Sequence, residues 1–230
     1  MTAYKAPTDD MIFLFNELLD NENFKEIEEY KEVNTELAQS IILEAAKMTE
    51  NSIFPLAKSG DDYGCKLENG EVKTPPKYKE TYEKFIADGW TSLACDPKYG
   101  GQGLPKSLSI FFDEMMSSAS LSFKLYSELS HGAYNCIYHH ASEDLKNKFL
   151  PKLVEGKWSG TMCLTESHCG TDLGILKTKA VFQDKDSYKI TGQKIFITSG
   201  DHDLTENIIH LVLARLPDSP EGTKGISLFL

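Results

Sequence analysis

Apolar residues recur at helical spacing through the first two-thirds of the chain and at strand spacing through the last third. Asp9 and Asp10 precede the apolar run MIFLFNELL (residues 11–19), which predicts a short helix with acids where the N-terminal dipole favours them. In TELAQSIILEAAKMTENSIF (35–54), Leu37, Ile41, Ile42, Ala45 and Met48 mark the expected buried face of a second helix. SGDDYGCKLENGEVKTPP (59–76) breaks the pattern and reads as an exposed loop. Pro76 can open the helix KYKETYEKFIADG (77–89), which Gly89 closes. The glycine-rich turn DPKYGGQGLPKS (96–107) leads into LSIFFDEMMSSASLSF (108–123) and LYSELSHGAYNCIYHHA (125–141), two helices apolar enough to be buried in a bundle. Ser142 caps a last helix, EDLKNKFLPKLVEG, which ends before Gly156.

After Trp158 the texture changes. SGTMCLTE, LKTKAVFQ, SYKITGQKIFITSG, NIIHLVLARL and GISLFL are rich in Val, Ile, Thr and Tyr and are separated by Asp, Gly and Pro turns. That composition predicts antiparallel β-structure. The fold class is therefore α+β, with a helical domain over 1–157 and a β domain over 158–230. The chain stops inside an apolar strand at Leu230, so it is expected to be the front part of a longer protein.

Charge and cysteines narrow the partners. A net charge of -11 argues against nucleic acid or an anionic membrane, which need a basic field. Five cysteines at irregular spacing make a poor disulfide framework and point to a reducing compartment. No secretory signal is visible, and no apolar run nears the ~18 residues of a membrane span. A cytoplasmic location is expected.

The chemistry concentrates in MCLTESHCGTDLG (162–174). Cys163, His168 and Cys169 could hold a metal. Alternatively, Thr165, Gly170 and Thr171 could present hydroxyls and N–H groups to a flat polar cofactor. The metal reading lacks a second close ligand pair, and cysteines in a core act as small hydrophobes, so no metal is expected. A second stretch, GQKIFITSG (192–200), supports the cofactor reading. It brings Phe196, Thr198, Ser199 and Gly200 to another strand end, so hydroxyls could meet a heterocycle's edge while an aromatic covers its face. His131, His139 and His140 lie on a buried-looking helix and read as packed or bonded to backbone. His202 and His210 read as surface or sheet residues, and Met115 and Met116 as core.

MCLTESHCGTD followed by ITGQKIFITSG resembles the flavin-binding pair of the acyl-CoA dehydrogenase family. The family form is roughly apolar-x-apolar-Thr-Glu-Pro-x-x-Gly-Ser-Asp, then Gly-x-Lys-x-Trp-Ile-Thr-Asn-Gly. DPKYGGQGLP fits the family's helical-domain turn, and the matches together span residues 82–230. The departures are Ser167 for Pro, Thr171 for Ser and Phe196 for Trp. The first should loosen the turn, the second keeps the hydroxyl, and the third keeps the ring face but loses the indole donor.

The resemblance implies an N-terminal helical domain, a barrel-like antiparallel β middle domain cut short here, and a C-terminal helical bundle absent from these residues. It implies FAD as cofactor, bound by Met162, Leu164, Thr165, Gly170, Thr171, Phe196, Ile197 and Thr198. Thr165 would face the N1 and C2-oxygen side of the ring, Thr198 the N5 and C4-oxygen side, and Phe196 the ring plane. Gly170 and Thr171 would meet the pyrophosphate or ribityl part. The implied reaction is α,β-dehydrogenation of an acyl-CoA thioester. Its base is a glutamate in the missing domain, so no catalytic residue is expected here. Glu166 is a tempting substitute that the family does not use.

The N-terminal extension, the loop GDDYGCKLENGEVKTPPKYKE and SGDHDLTENIIHLVLARLPDSPEGTKGISLFL resemble a longer branch of the family. That branch acts on 3-methylmercaptopropionyl-CoA, in dimethylsulfoniopropionate breakdown, or on ordinary fatty acyl-CoA. The first is the expected substrate. Fatty acyl-CoA oxidation, an acyl-CoA oxidase and a non-catalytic scaffold are the alternatives. Electron-transfer flavoprotein or a similar acceptor is the implied redox partner, with a homodimer or homotetramer as the assembled form.

Overall fold

A computed structural model describes residues 3–18 and 24–230. Helix α1 (Thr8–Phe13) runs into a π-helical turn, Leu14–Leu18. The expected helix reached Leu19, which lies outside the described residues. Asn34 caps α2 (Thr35–Met48), its Oδ1 accepting the Leu37 N–H at 2.8 Å, an arrangement that satisfies one of the four free N–H groups of a helix start. The buried stripe of α2 is Ala38, Ile42, Ala45, Ala46 and Met48. Leu37 is exposed and Ile41 only half-buried. The face is rotated from the expected one because small alanines, not the larger residues, allow close packing.

The helical path continues where a loop was expected. A π-helical turn, Thr49–Ile53, joins α2 to α3 (Phe54–Tyr63), which ends at Gly64. Next comes a hairpin, β1 (Lys66–Glu68) and β2 (Glu71–Lys73). Its turn is Asn69-Gly70, both at positive φ, the pair that twists correctly for a two-residue hairpin. Helix α4 (Tyr78–Ala87) follows. The turn after it is closed by Gln102 N–H to Ser92 O (2.9 Å) and Gly103 N–H to Cys95 O (2.9 Å). Gly101 sits so close to this backbone that an added Cβ would lie 2.0 Å from the Cys95 carbonyl oxygen.

The two expected central helices form one run, α5 (Lys106–His140), broken at Ser120, whose φ of -158° and ψ of 86° are non-helical. Ser142 caps α6 (Glu143–Val154). The helical core gathers Phe15, Ile42, Leu56, Tyr78, Phe85, Met115, Met116 and Phe123. Each such side chain contributes about 1.5–3 kcal/mol by leaving water. Of the α5 histidines, His139 and His140 are exposed and only His131 is partly buried. The helix end projects past the core there, which corrects the packed reading.

The sheet is mixed, not antiparallel. Its strands are β3 (Trp158–Cys163), β4 (Lys179–Asp184), β5 (Ser187–Thr191), β6 (Asn207–Arg215) and β7 (Ile226–Phe229). Strand β6 is parallel to β3 and to β4, while β4–β5 and β6–β7 are antiparallel. Short turns give antiparallel neighbours, but β3 and β6 are joined by some forty residues, long enough for a crossover that returns in the same direction. A second core cluster, with Tyr134, Ile137, Leu150, Leu153, Ile209 and Leu211, binds the sheet to α5 and α6. No helix among the described residues is long and apolar enough to cross a membrane.

Candidate cofactor-binding site

Strand β3 stops at Cys163, and the next residues open outward. Glu166 and Cys169 exchange backbone bonds of 2.8 and 3.1 Å. They close a tight turn around Ser167 and His168, so the turn that lacks the usual proline is held by its own ladder. The stretch 192–200 comes to lie beside it. It does so by leaving β5 at Thr191, not by continuing as a strand as expected. At Gly192 the chain presses on Thr178, where a Cβ would stand 2.3 Å from Oγ1. Ile195 N–H then donates to Thr165 O (2.9 Å). Lys194 Nζ donates to Leu164 O and to Glu166 Oε1, both at 2.9 Å. Phe196 and Ser199 follow with φ of 57° and 54°, incompatible with a ladder, and Gly200 N–H closes on Ile197 O at 3.1 Å.

The eight candidate residues thus fall on two adjacent segments. Met162, Leu164 and Thr165 are half-buried, as is Ile197, while Gly170, Thr171 and Thr198 are exposed. Phe196 is 88% exposed. Non-glycine residues held at positive φ cost free energy and cluster where a ligand is gripped. An uncovered aromatic on such a backbone, with Thr198 two residues on and Thr165 bonded to the preceding Ile195, is a surface suited to a planar partner with polar edges.

Glu166 is the organising group that pattern reading undervalued. It is 4% exposed. Its Oε1 accepts from Thr178 N–H (2.9 Å), Thr178 Oγ1 (2.6 Å) and Lys194 Nζ (2.9 Å), and its Oε2 from Lys177 N–H (2.8 Å). Burial by itself would raise its pKa. The donors from Thr178, Lys177 and Lys194 overcome this and hold it at about 2. So anchored, it joins the two segments to the start of β4, and a carboxyl held at about 2 is a weak acceptor for a substrate proton. Lys194 and Thr178 were missed, although the lysine directly before the apolar pair Ile195-Phe196 in GQKIF was the available signal. Arg215 was missed too. From β6 it donates to Leu176 O (3.0 Å), Gly222 O (2.8 Å) and Gly174 O, tying down the loop after Thr171.

The cysteine–histidine set divides. Cys163 packs by Thr161 and His210, its sulfur 3.8 Å from His210 Nδ1. His168 and Cys169 stand instead with Glu166, the three offering ligand-type atoms within 4.8 Å of one another. The Glu166 oxygens there are taken by four protein donors. His202 is not a surface residue. It is 6% exposed, between Ser159 and Tyr126, because the segment after Gly200 folds back under the sheet. His210 is exposed on β6 and bonds Thr161 Oγ1 at 2.7 Å.

A cavity of about 270 Å³ lies beside the sheet within the helical part, lined by aromatic residues Tyr82, Phe85, Trp90 and Phe112 and by polar Asp113, Glu128 and His131. It abuts β3: Ser130, on its wall, accepts the Gly160 N–H at 3.1 Å, and Met162 is only two residues, ~7 Å, further along the strand.

Comparison with known proteins agrees with this layout. The sequence profile of the acyl-CoA dehydrogenase N-terminal domain matches residues 35–157, and that of the acyl-CoA dehydrogenase middle domain matches residues 161–230. The chain is 42% identical over 228 residues to 3-methylmercaptopropionyl-CoA dehydrogenase of Ruegeria pomeroyi, covering 99% of this chain and 39% of that protein. It is 32% identical over 232 residues to the broad-specificity linear acyl-CoA dehydrogenase FadE5 of Mycobacterium tuberculosis, covering 100% and 38%. Among solved structures, butyryl-CoA dehydrogenase from Megasphaera elsdenii superposes with a TM-score of 0.70 at 27% identity, over 86% of this chain and 48% of that one. The chain therefore spans less than half the length of these relatives. It belongs to the acyl-CoA dehydrogenase family, of which it carries the N-terminal and middle domains.

Proposed function

We propose that this chain forms the acyl- and flavin-facing part of an FAD-dependent acyl-CoA dehydrogenase. The observation that carries the reading is the convergence of 162–171 and 194–200 into one open surface, with Phe196 uncovered on a left-handed backbone. Met162, Leu164, Thr165, Gly170, Thr171, Phe196, Ile197 and Thr198 would hold the cofactor. The hydroxyls and N–H groups would meet its polar edge and phosphates, and Phe196 would cover its ring. FAD bound there supplies acceptance of the hydride that leaves the β-carbon. This chain's residues orient the thioester beside that surface and exclude water from it, the part of catalysis that comes from positioning.

The acyl tail would occupy the cavity between α4 and α5. At about 270 Å³ it suits a short tail better than a long one. That size, and the 42% identity to the Ruegeria pomeroyi enzyme, favour 3-methylmercaptopropionyl-CoA, with butyryl-CoA as the runner-up. The proton acceptor is assigned to the part of the relatives' length that this chain does not span, since Glu166 is buried, held by four donors and drawn to about 2. A helical unit ending at 157, electron-transfer flavoprotein as acceptor, a homodimeric or homotetrameric assembly and a reducing, cytoplasmic setting complete the reading. Five free thiols support the last.

The test is to purify the full-length protein, identify any released flavin, and assay 3-methylmercaptopropionyl-CoA and butyryl-CoA with an artificial acceptor. Bound FAD and faster turnover of the thioether substrate are expected. A colourless protein that ignores added FAD overturns the flavin reading. Turnover only with oxygen, releasing peroxide, assigns an oxidase instead.

A further inference from the structure

We infer that His202 and Asp203 form a clasp that positions the Phe196–Gly200 turn, and with it the flavin, against the helical part of the molecule. The inference rests on the flavin reading above. It starts from a difficulty within the turn: Phe196 and Ser199 are both at positive φ, and the turn's own backbone bond is Gly200 N–H to Ile197 O. Ile195, bonded to Thr165, holds the leading end. Something must hold the trailing end, because such backbone persists only where the surroundings impose it.

Three segments distant in sequence meet there. Leu204 N–H donates to His202 Nδ1 (3.2 Å), so the neutral ring carries its proton on Nε2 and donates it to Ser159 Oγ (3.1 Å) on β3. Ser159 is itself buried and lies 3.2 Å from Thr205 Oγ1. The His202 ring stands edge-on to Tyr126 of α5, centroids 5.1 Å apart at 86°. Asp203 Oδ1 accepts both the Thr74 N–H (3.1 Å) and the Thr74 hydroxyl (2.7 Å), just beyond the β1–β2 hairpin. Sheet, long helix and hairpin are thus fastened to the two residues that follow Asp201, next after the turn. Breaking this contact frees the trailing end without touching any flavin-facing side chain, which makes His202 a positioning residue.

The contact also carries a proton dependence. The titratable groups around the ring are Asp201 and Asp203 on its own segment and Tyr126 from α5, while Ser159 and Thr205 are neutral. Protonation would place a second N–H against the Leu204 N–H. Burial holds His202 below its ordinary 6.5, against the opposing pull of the two aspartates. The clasp is therefore complete above about pH 6.5 and weakens as the pH falls below it.

The experiment uses the full-length protein stripped of FAD and titrated with FAD by flavin fluorescence between pH 5.5 and 8. His202→Phe keeps the ring packing and removes both hydrogen bonds. FAD affinity is expected to fall about tenfold at pH 8, and the acid-side loss of affinity expected of the wild type should disappear. His202→Gln, which restores a donor toward Ser159, should recover most of the affinity. If His202→Phe does not fold, Thr74→Val reads the same clasp from its half-buried outer end, with an expected loss of about threefold. Variants that lose thermal stability but bind FAD within twofold of wild type, with unchanged pH dependence, overturn the inference. A wild-type protein that takes up no FAD refutes the flavin reading beneath it, a distinguishable failure.

Discussion

Replacing Glu166 by Gln separates an anchoring role from a catalytic one. The carboxylate is buried and receives four donors, three on Oε1 and one on Oε2. A glutamine keeps the shape but must aim an N–H₂ at one of those donor groups, and it leaves the Lys194 ammonium, itself largely buried, beside a neutral partner. The scale of the loss follows from the carboxyl's own preference. Drawn from 4.5 to about 2, at about 1.4 kcal/mol for each factor of ten, it favours the charged form by about 3 kcal/mol in the fold. That agrees with the ~3–5 kcal/mol typical of breaking a buried pair from one side. The sign follows from the lowered value: the stabilisation is complete above pH 4.5 and is lost as the pH falls toward 2. Urea unfolding at pH 7 should therefore show Glu166→Gln less stable by about 3 kcal/mol. Adding Lys194→Met should cost less than the sum of the two single changes, because the stranded ammonium is gone. Turnover per bound flavin should stay within about tenfold of wild type, whereas loss of a general base typically costs 10²- to 10⁴-fold. A Glu166→Gln protein of normal stability that has lost a thousandfold in turnover would refute the reasoning and make Glu166 the base.

Further outcomes follow from single sites. Phe196→Ala should leave the unfolding midpoint nearly unchanged, since the ring is exposed, yet weaken FAD binding severalfold by fluorescence titration; a large stability loss would mean the ring packs on protein instead. Gly101→Ala, whose Cβ would meet the Cys95 carbonyl, should destabilise the fold by about 3 kcal/mol, near the upper range for overpacking, and a normal melting temperature would contradict the close approach. Elemental analysis of the purified protein should find no stoichiometric zinc, because Cys163 packs by Thr161 and His210 while Glu166 is occupied by other donors; one zinc per chain, lost in a Cys163→Ser/Cys169→Ser variant, would reverse that conclusion.

Much of the architecture was legible in the chain because its causes are local. The apolar spacing of 35–54, the Ser142 cap and the switch to β-branched residues after Trp158 act within a few residues of themselves, and helices and strands formed where they pointed. The two stretches with site chemistry were also visible, since threonines, glycines and an aromatic at strand ends stand out against a core pattern. Other features depended on partners far away in sequence. Ala38 and Ala46 replaced Leu37 on the buried face because the neighbouring elements select which side of α2 is covered. The run 187–200 looks like one strand by composition. It leaves the ladder after Thr191 because Thr178 presses on Gly192, and Thr165 and Glu166 capture Ile195 and Lys194. Strand β6 lies parallel to β3 because of the crossover between them, which residue alternation does not encode. Glu166 could be read from sequence as a tempting acid. Only the convergence of Lys177, Thr178 and Lys194 on its two oxygens makes it an anchor, since a carboxylate's role is set by the donors that reach it and not by its neighbours in the chain.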